Sequence, residues 1–291
     1  MQIIDRNYVR TVLPARDENA QKNAYGRLLI AGGSVPYTGS VCLAAEAAVH
    51  SGCGLVYAAV PEPIWAVEAA KLQEAMCLPM PASTFAEGGF FTDDAAEPLL
   101  GRLEKCTALA IGPGTGRDRR TVSFVLKVLE ATEKPVVVDA DALFALGTDL
   151  GVLDARKGRT TILTPHAGEY AFLTQGRNTA PADFASEHGC ILVSKGHRTT
   201  VYSPDGRAME NTSGNSGLAK GGSGDVLTGM TGSLLCQGMD AFEASCAAVW
   251  LHGRAADLLQ KEYTAYCMAA GMIIDKGLPM AFRDILSCGN L

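Results

Sequence analysis

An α/β fold built on a mainly parallel sheet, with helices on both faces, is the architecture this sequence predicts. Two observations carry the prediction. Short, almost continuously apolar runs recur along the chain, each closed by Gly, Pro, Asp or Ser, which is the pattern of strands covered on both faces. Longer stretches with helical periodicity fall between them, and that alternation argues for parallel strands joined by helical crossovers.

The strand candidates are RLLIAG (27–32), GLVYAAV (54–60), ALAIG (108–112), PVVVD (135–139), TILT (161–164) and CILVSK (190–195). Helical patterns occupy 39–52, 118–132 and 181–189. TTVYSPDGRAMEN (199–211) breaks the rhythm with two short β-like segments around Pro204-Asp205-Gly206, a hairpin signal. From Asp225 onward the chain is helical, with Val226, Leu227, Met230, Leu234 and Leu235 keeping an apolar stripe and a longer helix over 241–260. No low-complexity linker, repeat or composition shift interrupts the 291 residues, and one domain over 1–291 is expected.

Composition narrows the function. Nearly half of the residues, 47%, are apolar, enough for a large core. The net charge is −6 with no long basic run, so nucleic acid is not expected as a partner. A small anion remains open, because backbone amides hold phosphates without a basic surface. The nine cysteines form no C-x-x-C pair and read as small buried hydrophobes of a reducing cytoplasm. The charged N-terminus lacks a signal-peptide core, and no apolar stretch approaches a membrane span, so a cytoplasmic protein with no membrane partner is expected.

Ligands of such sheets sit outside the carboxyl ends of the strands. There the sequence places AGGSVPYTGS (31–40), GPGTGRD (112–118), ADAL (140–143), PHAGEY (165–170) and KGHRT (195–199). Walker A, G-x-G-x-x-G, G-x-S-x-G and H-E-x-x-H signatures are all missing. GGSGD (221–225) puts three glycines and a serine before an acid at a helix start. Amides there form an anion cradle, and Asp225 in the first turn could accept a proton during phosphoryl transfer. The plainer alternative is a turn with Asp225 as the N-cap. His166 and Glu169 likewise read either as substrate and metal contacts or as a capped helix start. Lys195 is either a phosphate contact or part of a solvated turn, and Asp139-Ala140-Asp141 either a metal site or an N-cap at Asp141.

Taken together, AGG…TGS, IGPGTG, VVVDADAL, LTPHAGE, VSKGHRT and NTSGNSGLAKGGSGDVLTG resemble the ADP-dependent (S)-NAD(P)H-hydrate dehydratase family, stand-alone bacterial form, over about Tyr25 to Leu259. The resemblance implies a ribokinase-like three-layer α/β/α sandwich. It implies a hydro-lyase that restores NADH and NADPH from their S-hydrated forms (NADHX and NADPHX), consuming ADP with Mg²⁺ and releasing AMP and phosphate. Carried over position by position, Ser40, Val41, Gly114, His166 and Asp225 would contact the hydrated substrate, with Asp225 as catalytic base. Lys195, Gly196, His197, Arg198 and Thr199, with Gly221, Gly222, Ser223 and Gly224, would hold the nucleotide, and Glu169 would organise metal through water. No epimerase segment precedes residue 25, so the resemblance implies a separate NAD(P)HX epimerase as functional partner. A homo-oligomer, with a tetramer as the candidate, is expected by analogy. The rival readings are a small-molecule kinase of the hydroxyethylthiazole-kinase type and a nucleotide sensor of the same fold without catalysis.

Overall fold

The computed structural model describes residues 1–287. Ten strands form one sheet: β1 (Gln2–Ile4), β2 (Arg27–Ala31), β3 (Leu55–Pro61), β4 (Met76–Met80), β5 (Ala108–Ile111), β6 (Val136–Val138), β7 (Thr161–Leu163), β8 (Ile191–Ser194), β9 (Thr200–Tyr202) and β10 (Ala208–Asn211). Their order is β1-β10-β9-β8-β7-β6-β5-β2-β3-β4. From β8 through β4 every neighbouring pair is parallel; β9 runs antiparallel to both β8 and β10, as the hairpin signal predicts.

Alternation along the strands sorts two cores. Leu28, Ile30, Val56, Ala58, Ala110 and Val137 face one layer, with the helices Thr38–His50, Ser223–Cys236 and Ala241–Gln260. Leu29, Ala31, Leu109, Ile111, Val136 and Val138 face the other, with Ala96–Leu103, Arg119–Ala131 and Asp141–Thr148. All twelve strand side chains are buried. Period-two alternation with both faces covered is what makes these runs almost wholly apolar.

The sheet reverses its winding between β2 and β5. From β2 the chain proceeds outward through β3 and β4; from β5 it proceeds the other way through β6, β7 and β8. The loops after β2 and β5 therefore flank a crevice at the carboxyl edge. They are joined there: the Gly33 amide donates to the Pro113 carbonyl at 2.8 Å, and the buried Ser34 hydroxyl donates to the Gly114 carbonyl at 2.7 Å.

Two helices start at this edge and pack closely side by side. At Gly229, in Ser223–Cys236, a Cβ would lie 1.9 Å from the carbonyl oxygen of Ala44, in Thr38–His50. Only glycine permits that backbone contact, and it brings the first turns of the two helices together. Among the described residues no helix is long and apolar enough to cross a membrane.

Candidate active site

The helix Ser223–Cys236 is capped by Gly222, whose φ is +89°. A side chain at 222 would be strained by that φ, and its Cβ would lie 2.6 Å from Leu43 Cδ1. Asp225 is thus the third helical residue rather than the cap. The amides of Gly222, Gly224 and Asp225 have no hydrogen-bond partner among the described residues. Three free donors at the positive end of a helix make an anion cradle.

Asp225 titrates unusually. Burial, joined by the nearby Asp139 carboxylate, pushes its pKa up to about 7, against the Ser40 hydroxyl and the charge of Lys195. A carboxyl with that pKa is poised to exchange protons at neutral pH.

Asp139, directly after β6, has the opposite character. It is buried, and its Oδ1 accepts from Lys195 Nζ at 2.8 Å and Thr164 Oγ1 at 2.7 Å, its Oδ2 from Thr228 Oγ1 at 2.7 Å. Burial works to raise its pKa, but the Lys195 charge and these three donors outweigh it and hold the carboxyl low. For Lys195, burial works downward and is outweighed by Asp139, Glu169 and Asp225, so its pKa is raised. Its ammonium also lies 3.8 Å from Glu169 Oε2. One cation thus stands among three carboxylates, and a Cβ at Gly224 would sit 3.4 Å from its Nζ.

His166 and Glu169 form a capping box on the helix Ala167–Leu173. His166 Nδ1 accepts from the amides of Gly168 at 3.0 Å and Glu169 at 3.2 Å, while Glu169 Oε2 accepts from the His166 amide at 2.8 Å. Accepting at Nδ1 requires the neutral ring to carry its proton on Nε2. That edge lies 3.6 Å from Glu169 Oε1 and lines the cavity, so the capped helix start and the contact role coexist.

A cavity of about 830 Å³ opens in front of these groups. His166, Glu169, Lys195, Gly196, His197, Thr199, the whole of 221–224, Asp225 and Asp139 line it. Asn211, Ser213, Gly214, Asn215 and Ser216 also line it, with Val249, His252 and Gly253 of the helix Ala241–Gln260. Asn211 donates to the Ser213 carbonyl at 3.0 Å, and Asp257 accepts from the Gly214 amide at 2.9 Å and Asn215 Nδ2 at 3.1 Å, clamping this wall to the helix. Burial, with Lys195, lowers the His252 pKa to about 4, so the ring is neutral beside Ser223 Oγ at 3.4 Å.

The remaining candidate residues lie elsewhere. Arg198 turns away from the cavity and pairs with Glu210 at 2.7 Å. Ser40 and Gly114 meet in the switch-point crevice: a Cβ at Gly114 would lie 3.0 Å from Ser40 Cβ. Val41 follows Ser40 with its side chain fully buried against Gly32 and Gly33. Asp225 lines the cavity, and the Ser40 hydroxyl is among the groups that act on its pKa.

Asp141 is not the N-cap the sequence suggests. Ala140 takes that place with φ of 51°, and the Asp141 carboxylate reaches across to the Gly116 amide at 2.9 Å and Arg117 Nε at 2.9 Å. A non-glycine residue in that conformation is held by its surroundings at an energetic cost. Sequence reasoning missed the Asp139–Lys195 pair and the supporting Thr164 and Thr228. Thr228 follows Asp225 by three residues on the same helix face, the one local signal available.

A family model described as NAD(P)H-hydrate dehydratase matches residues 28–277. The bifunctional NAD(P)H-hydrate repair enzyme Nnr of Moorella thermoacetica is 40% identical over 98% of this chain, which spans 54% of that relative's length. The ADP-dependent (S)-NAD(P)H-hydrate dehydratase of Neisseria meningitidis serogroup B is 38% identical over 93% of this chain and 88% of its own. A ribokinase-like superfamily protein of Enterococcus faecalis superposes with a TM-score of 0.82 at 25% identity, covering 98% of this chain and 96% of its own. The ADP/ATP-dependent NAD(P)H-hydrate dehydratase of Bacillus subtilis, co-crystallised with ATP and Mg²⁺, superposes with a TM-score of 0.77 at 30% identity over 98% of both chains. The fold is ribokinase-like, and with its family model covering 28–277 the chain belongs to the NAD(P)H-hydrate dehydratase family.

Proposed function

We propose that this chain dehydrates the S form of hydrated NADH or NADPH, with ADP as phosphoryl donor and AMP and phosphate as products. The observation that carries the reading is Asp225: a carboxyl with pKa about 7, beside unpartnered amides at a helix N-terminus, on the wall of the cavity. The relatives named for this activity support it.

Hydroxide leaves poorly at neutral pH, and phosphorylating the C6 hydroxyl of the hydrated ring turns it into a good leaving group. Asp225 takes the hydroxyl proton while the oxygen attacks the terminal phosphorus of ADP and the bond to AMP breaks. Charge developing on the transferred group meets the amides of Gly222, Gly224 and Asp225, with Lys195 beside them. The ring nitrogen lone pair then expels phosphate, and loss of a C5 proton restores the double bond. His166 and the Ser40–Gly114 pair orient the hydrated ring; Lys195, Gly196, His197, Thr199 and 221–224 hold the nucleotide.

Among the described residues no group of three or more His, Cys, Asp and Glu could hold a metal ion by itself. Glu169 lines the cavity with Oε2 committed to capping and Oε1 3.6 Å from His166 Nε2. That fits Mg²⁺ held through water and phosphate oxygens, which needs one or two carboxylates at most. When bound, the ion would neutralise phosphate charge.

A separate epimerase converting the R hydrate would complete the repair; relatives about twice as long are named bifunctional. A cytoplasmic site of action suits the nicotinamide pool and the eight described cysteines, all free. Exposed Trp65, Val67 and Met76 offer apolar surface for a homo-oligomer.

The test is stoichiometry. One phosphate released for each reduced nicotinamide restored supports the reading. Phosphate retained on the product would mean a kinase, and no turnover with any acceptor a sensor.

A further inference from the structure

One buried titratable side chain on the cavity wall has no role in the phosphoryl transfer. His252, on the helix Ala241–Gln260, lines the cavity and is 7% exposed. Its Nε2 lies 3.4 Å from the hydroxyl oxygen of Ser223, within hydrogen-bond reach. Ser223 also lines the cavity. It is the first residue of the helix Ser223–Cys236, between Gly222 and Gly224, whose amides have no partner among the described residues. The one hydroxyl in the run 221–224 thus has a buried imidazole as its hydrogen-bond partner.

The backbone that carries His252 is fixed on both sides of it. Ser213 Oγ lies 2.9 Å from the Trp250 carbonyl oxygen, and a Cβ at Gly253 would lie 2.3 Å from the same Oγ, so only glycine admits that approach. One turn further on, Asp257 holds Gly214 and Asn215. A ring on so fixed a wall can set the direction of a neighbouring hydroxyl. A neutral imidazole carries one N–H, and a serine hydroxyl carries one proton. If that hydroxyl gave its proton to Nε2, it would turn only lone pairs toward an anion. With the ring proton on Nε2, the hydroxyl accepts from the ring and keeps its own proton for the anion.

We propose that His252 is a positioning residue for the nucleotide: its Nε2–H donates to Ser223 Oγ and so directs the Ser223 hydroxyl to the terminal phosphate of ADP, beside the amides of Gly222, Gly224 and Asp225. The proposal rests on the reading of this cavity as the nucleotide site.

The test is calorimetry with ADP and with AMP, without hydrated nicotinamide, on wild type, Ser223→Ala, His252→Leu, His252→Gln and the double variant Ser223→Ala/His252→Leu. Thermal melting checks that each is folded. Ser223 lines the open cavity, so losing its partner leaves no sealed orphan hydroxyl in His252→Leu. Ser223→Ala should weaken ADP about tenfold or more, the worth of one hydrogen bond to a charged group. His252→Leu should weaken it about three- to tenfold, the worth of an ordinary hydrogen bond. AMP, which lacks the terminal phosphate, should lose less than ADP in both. His252→Gln can present an N–H in place of Nε2–H and should recover most of the loss. The double variant should bind no more weakly than Ser223→Ala. Wild-type ADP affinity in folded His252→Leu, equal losses for ADP and AMP, a Gln variant no better than Leu, or a double variant that adds the two losses overturns the proposal. The predicted binding pattern with no reduced nicotinamide restored would instead overturn the dehydratase reading and leave the phosphate contact standing.

Discussion

Lys195 holds its ammonium 2.8 Å from Oδ1 of Asp139, and that pairing separates the two acids of the site. Asp139 keeps its charge because Lys195, Thr164 and Thr228 are committed to it. Asp225, buried and facing that fixed negative charge, has its pKa raised to about 7. Environments that push two carboxyls apart assign them different roles. With Asp225 as base, kcat/KM should fall about tenfold for each pH unit below 7, following one group. A profile flat from about pH 5 to about pH 8, a window that brackets the pKa of Asp225, contradicts this assignment.

Replacing Asp225 by Asn should cost about 10²- to 10⁴-fold in kcat. Stability should move the other way. The folded pKa of Asp225 lies above its ordinary 3.8, so the stability linked to its protonated form is full below about pH 4 and lost as pH rises through about 7. The neutral Asn avoids that loss. Asp225→Asn should be more stable than wild type at pH 8, by a few kcal/mol at the order-of-magnitude level, and gain little at pH 4. Urea unfolding at the two pH values checks this.

At His166 the capping and contact roles can be separated. His166→Ala removes the acceptor of two backbone amides and should cost about 1 kcal/mol of stability. Asn is a good N-cap, so His166→Asn should recover most of that loss. If the Nε2 edge contacts the hydrated ring, His166→Asn should still show a raised KM for that substrate. An Asn variant with wild-type kinetics would reduce His166 to a cap.

Gly222→Ala should damage nucleotide binding specifically. The φ of +89° and the 2.6 Å approach to Leu43 Cδ1 leave no room for a Cβ without moving the helix start. The loss should be about 1–3 kcal/mol of stability. A raised dissociation constant for ADP, read by calorimetry, should accompany it. Gly101→Ala is the control, since a Cβ there meets nothing within 4 Å and the residue lies outside the cavity lining.

The parallel strands were legible because each carries its signal locally, as in Val136–Val138, covered on both faces. The edge strands were not. β4 includes Pro79 and an exposed Met76, tolerable at an edge that needs no second ladder. β1 has three residues, too few to show alternation, and it gains its place only by pairing with β10. In the site, the GGSGD cradle was readable from backbone freedom next to a carboxylate. The partnership of Asp139 with Lys195 was not, because 56 residues separate them and the fold alone brings β6 and β8 to either side of β7. Asp141 looked like a cap because an acid at a helix start usually is one; the turn instead places Ala140 there and spends the carboxylate on Gly116 and Arg117.

The most direct test of the central claim mixes the purified protein with S-hydrated NADH, Mg²⁺ and ADP and follows the near-ultraviolet absorbance of reduced nicotinamide. A rise that requires nucleotide, and that Asp225→Asn abolishes, is the predicted result. No rise from folded protein and verified S substrate, with ADP or with ATP, would contradict it.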